Sequence, residues 1–181
     1  MEDDSSRPQV IVGVSGSPTS LQALRQAVVE ARRAGAVLRI THAYRVPTAA
    51  LVAAGQDCRE GLERAAHQLI DACLDQALGG PPDDLPVCRT VVENTAPGAA
   101  LVGRVRTEND LIVVGASRSV LARRWHRPVA AHCERYAACP VLVVPPPRML
   151  RDLGGRPRVR RRDLDRQIAD LCRATDLPGP R

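Results

Sequence analysis

Short, almost continuous apolar runs alternate along the chain with longer stretches in which apolar residues recur every three or four positions. Gln9-Val-Ile-Val-Gly-Val14 is a run of strand length, and Ser15-Gly16-Ser17-Pro18 behind it reads as both a turn and a helix start. Ser17 suits the cap and Pro18 the first helical position. Leu21, Leu24, Val28 and Ala31 then keep to one helical face until Gly35 supplies a stop. Val37–Tyr44 predicts a second strand. After a loop through Pro47 and Gly55, a second helix is expected with Leu62, Ala66, Leu69 and Cys73 on one face, ended by Gly79-Gly80-Pro81-Pro82.

Val87–Val92 predicts a third strand, Pro97 opens a helix carrying Leu101 and Val105, and Leu111–Val114 with Gly115 predicts a fourth strand. Residues 116–127 read as a basic loop. Pro128 then starts a helix with Val129, Cys133 and Tyr136, and Pro140–Val144 forms a fifth strand before Pro145-Pro146-Pro147 forbids continuation. Five apolar strands alternating with four helices predict an α/β fold, an open doubly wound five-stranded parallel sheet with helices on both faces. In such sheets the ligand crevice lies at the carboxyl ends of the strands, which directs attention to the turns after Val14, Tyr44 and Val114.

Composition sharpens this. With 181 residues, 44% of them hydrophobic, there is enough chain for one domain with a real core. Only Tyr44, Trp125 and Tyr136 are aromatic, so the core is aliphatic, and aromatic-anchored sandwiches and single-strand-binding platforms are disfavoured. No apolar stretch approaches the ~20 residues of a membrane span and the first residues are acidic, so the expected location is cytoplasmic, with no membrane partner. The six cysteines show neither a C-x-x-C pair nor zinc-finger spacing, so no metal is expected and the thiols read as small buried hydrophobes. Of the formal charge of +6, residues 148–181 carry +5. The basicity therefore belongs to a tail, where 156–162 reads as a solvated linker and Leu164, Ile168 and Leu171 as one face of a short amphipathic helix.

Val-Gly-Val-Ser-Gly-Ser17 before a helix, Leu-Ile-Val-Val-Gly-Ala-Ser117, and the closing Ala-Cys-Pro-Val-Leu-Val-Val144 resemble a universal stress protein domain. The resemblance spans residues 8–145 and leaves 146–181 as the basic tail. It implies an adenine nucleotide alpha hydrolase-like sheet, a homodimer through the fifth strand, and no catalytic activity. Family members divide into those that bind ATP or AMP and those that do not.

Nucleotide-binding members carry an Asp after the first strand and a phosphate loop patterned G-x-x-G-x(9)-G-[ST] after the fourth. Here the Asp position is Ser15. Gly115 matches the first glycine, the second falls on Arg118, and the final pair falls on Arg127-Pro128 or on Pro128-Val129, depending on register. Ala43 and Val114 complete the pocket positions that the resemblance carries over. Phosphates are cradled by backbone N–H groups where glycine allows close approach, so Arg118 adds bulk and Pro128 removes a donor, while Ser15 brings no carboxylate for the adenosine moiety that the family's Asp would hold.

The resemblance therefore implies a regulatory or interaction module with no cofactor, acting through an unidentified protein partner. The alternative is an ATP- or AMP-binding member in which arginines replace the glycines. Arg118, Arg123, Arg124 and Arg127 leave an anion site open beside the favoured reading of a solvated basic loop. Nucleic acid is disfavoured because Trp125 is the single ring among these arginines. Ser15, Ser17 and His42 lack a nucleophile elbow and an acidic orienter, so capping and turn roles are expected for them, and packing for Cys139.

Overall fold

The computed structural model describes residues 7–46, 48–94, 96–116 and 129–147, with the backbone alone for 48–56. All of them lie within Met1–Arg148. The strands are β1 (Gln9–Gly13), β2 (Val37–Tyr44), β3 (Val87–Glu93), β4 (Leu111–Gly115) and β5 (Val141–Val144). The helices are α1 (Pro18–Ala34), α2 (Thr48–Leu78), α3 (Pro97–Val102) and α4 (Val129–Tyr136). All strand pairs are parallel, in the order β3-β2-β1-β4-β5, so β1 is central and β3 and β5 are the edges.

Side chains alternate across this sheet and divide the core into two layers. Val10, Val12, Leu38, Ile40 and Val113 pack with Leu24, Val28, Ile70 and Leu74 on the α1 and α2 side. Ile11, Ile112 and Val114 pack with Leu101 and Cys133 on the α3 and α4 side. Helices on both faces account for β1, β4 and β5 being apolar at almost every position. The expected fold and the order of its elements are both found.

Local chemistry places the helix ends. Ser17 has extended backbone and accepts from the Ser20 N–H, Pro18 sits at the first turn, and Gly35 closes α1 at φ 57°. Arg25 donates from Nε to the Ala77 carbonyl at 2.9 Å and from Nη2 to that of Gln76 at 3.2 Å. A cation thereby satisfies the last carbonyls of α2, the end where the helix dipole favours it.

Four expectations are corrected. The loop expected through Gly55 is already helix, since α2 starts at Thr48. Alanine-rich sequence sustains it despite a glycine that costs about 1 kcal/mol. The helix expected to carry Val105 stops at Val102, because the Asp110 carboxylate takes the N–H groups of Arg106, at 2.7 Å, and Thr107, at 3.1 Å. Tyr136 does not face the core but is 53% exposed, beside the rings of His132 and the guanidinium of Arg135. Cys58 and Cys88 are half-buried, whereas Cys73, Cys133 and Cys139 are buried as expected. Cys172, the tail helix and the arginine run lie outside the described residues.

Asp110 also accepts from the Gln9 N–H at 2.9 Å, which ties the start of β1 to the residue before β4. Its carboxylate is 2% exposed and receives three backbone donors. Bonds to a charged group contribute roughly 1.5–3 kcal/mol each, and their loss would leave buried N–H groups unpaired. Asp110→Ala is expected to lower the stability of the folded chain by about 3 kcal/mol, read as a fall in the urea midpoint without a change of slope.

Candidate functional site

The sheet order reverses at β1, where one connection leads through α1 toward β2 and β4 lies on the other side. A cleft opens there at the carboxyl ends of the strands, as the strand order requires. Its volume is about 170 Å³ and its walls include Gly13 to Ser15, Ser17, Thr19, Ser20, Thr41 to Ala43, Pro97, Leu101, Val114, Gly115 and Val129. Ser15, Ala43, Val114, Gly115 and Val129, named from the sequence, thus surround one cavity. Arg118, Arg127 and Pro128 lie outside the described residues, as do the other arginines of the basic loop.

Two glycines shape the walls. A Cβ on Gly115 would stand 2.6 Å from the Thr19 carbonyl oxygen and 2.8 Å from its carbon, both backbone atoms of the first turn of α1. A Cβ on Gly98 would stand 2.8 Å from the His132 Cβ, so α3 and α4 meet as closely as they do because that position has no side chain.

Most of the hydroxyls satisfy one another. Ser15 Oγ donates to Ser17 Oγ at 3.2 Å, and Ser17 Oγ also lies 3.2 Å from Thr19 Oγ1. Ser20 Oγ donates to the Ser17 carbonyl at 2.9 Å and accepts from the Ser15 N–H at 3.2 Å. Capping and turn formation account for Ser15 and Ser17, as expected from the sequence, and Ser20, which the sequence reading did not name, takes part with them. His42 Nδ1 lies 2.9 Å from the Val14 carbonyl oxygen, which can only accept, so Nδ1 is the donor of this bond.

β2 outruns its central neighbour. The Val14 N–H donates to the Thr41 carbonyl at 3.0 Å, continuing the parallel register one residue past β1, and the chain then turns away. In a parallel strand alternate residues direct both backbone groups to the same neighbour. Ala43 therefore directs its N–H and C=O toward the side on which β1 has ended. Among the described residues no backbone bond joins it to the turn after Val14.

Sequence reasoning did not single out Thr41, Pro97 or Leu101 for the cleft. The two α3 residues reach it through a crossover from the β3 edge, a distance no local motif records. Thr41 shares its strand with Arg39 and His42, so its polarity alone did not mark it out. Cys139 is buried, and burial pushes its thiol above the ordinary range, while burial drives Cys133 up to about 11, so neither is a poised nucleophile. No His, Cys, Asp and Glu cluster among the described residues has the arrangement of a metal site, and none of their helices is long and apolar enough to cross a membrane.

An open parallel sheet of this order, with its crevice at the switch point, defines a doubly wound α/β protein. The sequence profile of the universal stress protein family matches residues 7–145, and the chain belongs to that family. A universal stress protein solved in complex with cAMP is 28% identical, with 78% of this chain and 98% of that one covered and a TM-score of 0.50. UspA from Lactobacillus plantarum is 20% identical over 76% of this chain and 97% of its own, with a TM-score of 0.54. A universal stress protein from Archaeoglobus fulgidus is 18% identical over 76% and 98%, with a TM-score of 0.52. No curated protein sequence matches the chain.

The approach of Gly115 to α1 is backbone against backbone, which side-chain rotation cannot relieve. Gly115→Ala is expected to cost about 2 kcal/mol or more, as overpacking does. Urea unfolding measures the loss. A change within experimental error would show that α1 can move away from β4 freely.

Proposed function

We propose that this universal stress protein is a regulatory module without catalytic chemistry, whose cleft receives an adenine mononucleotide in preference to ATP. The observation that carries the reading is the Ala43 backbone edge. A donor N–H beside an acceptor C=O complements a ring nitrogen next to an exocyclic amine, the edge that adenine offers and that guanine reverses. The complex of a 28% identical relative with cAMP supports the same ligand class. Against ATP stand Arg118 at a glycine position and Pro128 at a backbone-donor position of the family's phosphate loop, whereas Ser15, where the family's Asp would hold the adenosine, bears on AMP and ATP alike. Two uncompensated losses of roughly 1.5–3 kcal/mol each would weaken triphosphate binding by two or more decades.

The cleft also argues for a module rather than an enzyme. Its serine hydroxyls engage one another in caps, and the one histidine among its described walls is held by a main-chain carbonyl, with no nucleophile beside it. A second reading, an interaction module with no nucleotide at all, is favoured by the small cleft, about 170 Å³ against the ~300 Å³ at which ligand pockets commonly begin. Isothermal titration with AMP, cyclic AMP and ATP separates the two. The expected outcome is heat with both monophosphates and binding of ATP at least about tenfold weaker. Silence with all three promotes the second reading, and tightest binding of ATP overturns the first.

The same reading includes a homodimer through β5. That strand is an edge, and its apolar Val141, Leu142 and Val143 are only half-buried, a combination that seldom remains uncovered. Light scattering at micromolar concentration is expected to give twice the chain mass, and Val143→Lys to halve it. A wild-type chain at monomer mass would remove the dimer from the proposal.

A further inference from the structure

Three buried side-chain polar atoms among the described residues have no hydrogen-bond partner: Gln9 Nε2, Thr41 Oγ1 and Arg104 Nε. Of these residues only Thr41 borders the cleft. It is 2% exposed and stands between Gly13 of β1 and Thr90 of β3 in the sheet register. Strand alternation turns its side chain to the same face as Ile11, the face covered by α3 and α4. The neighbouring Gly13 has no side chain to fill the space beside it, and a Cβ there would already stand 3.0 Å from Leu101 Cδ1.

A hydroxyl buried without a partner is destabilising, and valine would fill the same volume without that cost. The serines of the same cleft show the contrast, since each of their hydroxyls has a partner. The unmet hydroxyl therefore lies where a ligand would supply what the fold withholds. Polar groups that weaken a fold and serve a site are a recognised exchange of stability for function.

We infer that Thr41 is a specificity-determining residue, its hydroxyl hydrogen-bonding a polar atom of the base that the Ala43 edge holds. This rests on the mononucleotide reading above and adds to it. Ala43 recognises the outer edge of the base through the main chain, as almost any residue there would. Thr41 recognises an inner atom through a side chain that another residue would change. A base with carbon at that inner position leaves the hydroxyl without a partner, and a site whose buried polar group goes unpaired discriminates strongly against such a ligand.

The test uses Thr41→Val in the full chain and two measurements of opposite expected sign. Without ligand, thermal unfolding of the variant is expected at a midpoint a few degrees above that of the wild type, because an unpaired buried hydroxyl has been removed. A lowered midpoint would mean that the hydroxyl has an internal partner, and would overturn the inference. In titrations with AMP, the variant is expected to bind about tenfold more weakly. The decisive arm uses AMP analogues with one ring nitrogen at a time replaced by CH. One analogue is expected to lose affinity for the wild type while binding wild type and variant alike, the non-additive signature of direct contact.

Equal affinity of wild type and variant for AMP would overturn the inference and leave the mononucleotide reading standing. Absence of binding to the wild type by AMP and cyclic AMP would overturn both.

Discussion

The tightest approach at any described glycine is the contact between the end of β4 and the first turn of α1, where Gly115 leaves no room for a single carbon beside the Thr19 carbonyl. Everything at the cleft is referred to that contact. α1 begins where Ser17 caps it, and the cap holds the turn from Ser15 in place through Ser20. The turn in turn frees the end of β2, because the chain leaves the sheet after Val14 while β2 runs on to Tyr44. A larger residue at 115 would move the helix, and the helix carries the wall.

Much of this was legible in the residues. The five apolar runs gave the strands, and their near-continuous hydrophobicity, rather than alternation, told of a sheet covered on both faces. Ser17, Pro18 and Gly35 announced α1 at both ends through backbone chemistry that needs no tertiary partner. What stayed hidden depended on residues far away in sequence. Val105 falls outside its helix because Asp110 competes for the next N–H groups, and Tyr136 lies outward because the short α4 buries Cys133 alone. The cleft was legible as a place, from the strand ends, but not in its full lining, since Pro97 and Leu101 arrive over a crossover.

The described walls of the cleft offer hydrogen-bonding groups, namely hydroxyls, one imidazole and main-chain edges, with no carboxylate among them. Recognition by such groups depends on hydrogen-bond direction more than on charge, so it responds less to salt than a phosphate-gripping loop does. The buried thiols fit the same picture. Cys133 at about 11 stays protonated across physiological pH and acts as a packing group.

The bond from Gln9 to Asp110 spans 101 residues, and the strand it anchors is the middle of the sheet. The first strand of this sheet to be made is thus among the last to be completed: it acquires β2 early, but neither Asp110 nor β4 exists until α1, β2, α2, β3 and α3 have been made. Until then its β4 side, with the apolar side chains it will bury, has no native cover. Long-range parallel pairing of this kind is slow and leaves strand edges exposed while it waits. The nascent chain is consequently at its most vulnerable to wrong pairing during synthesis of residues 46–110, a window set by topology and untouched by the stability of the finished protein.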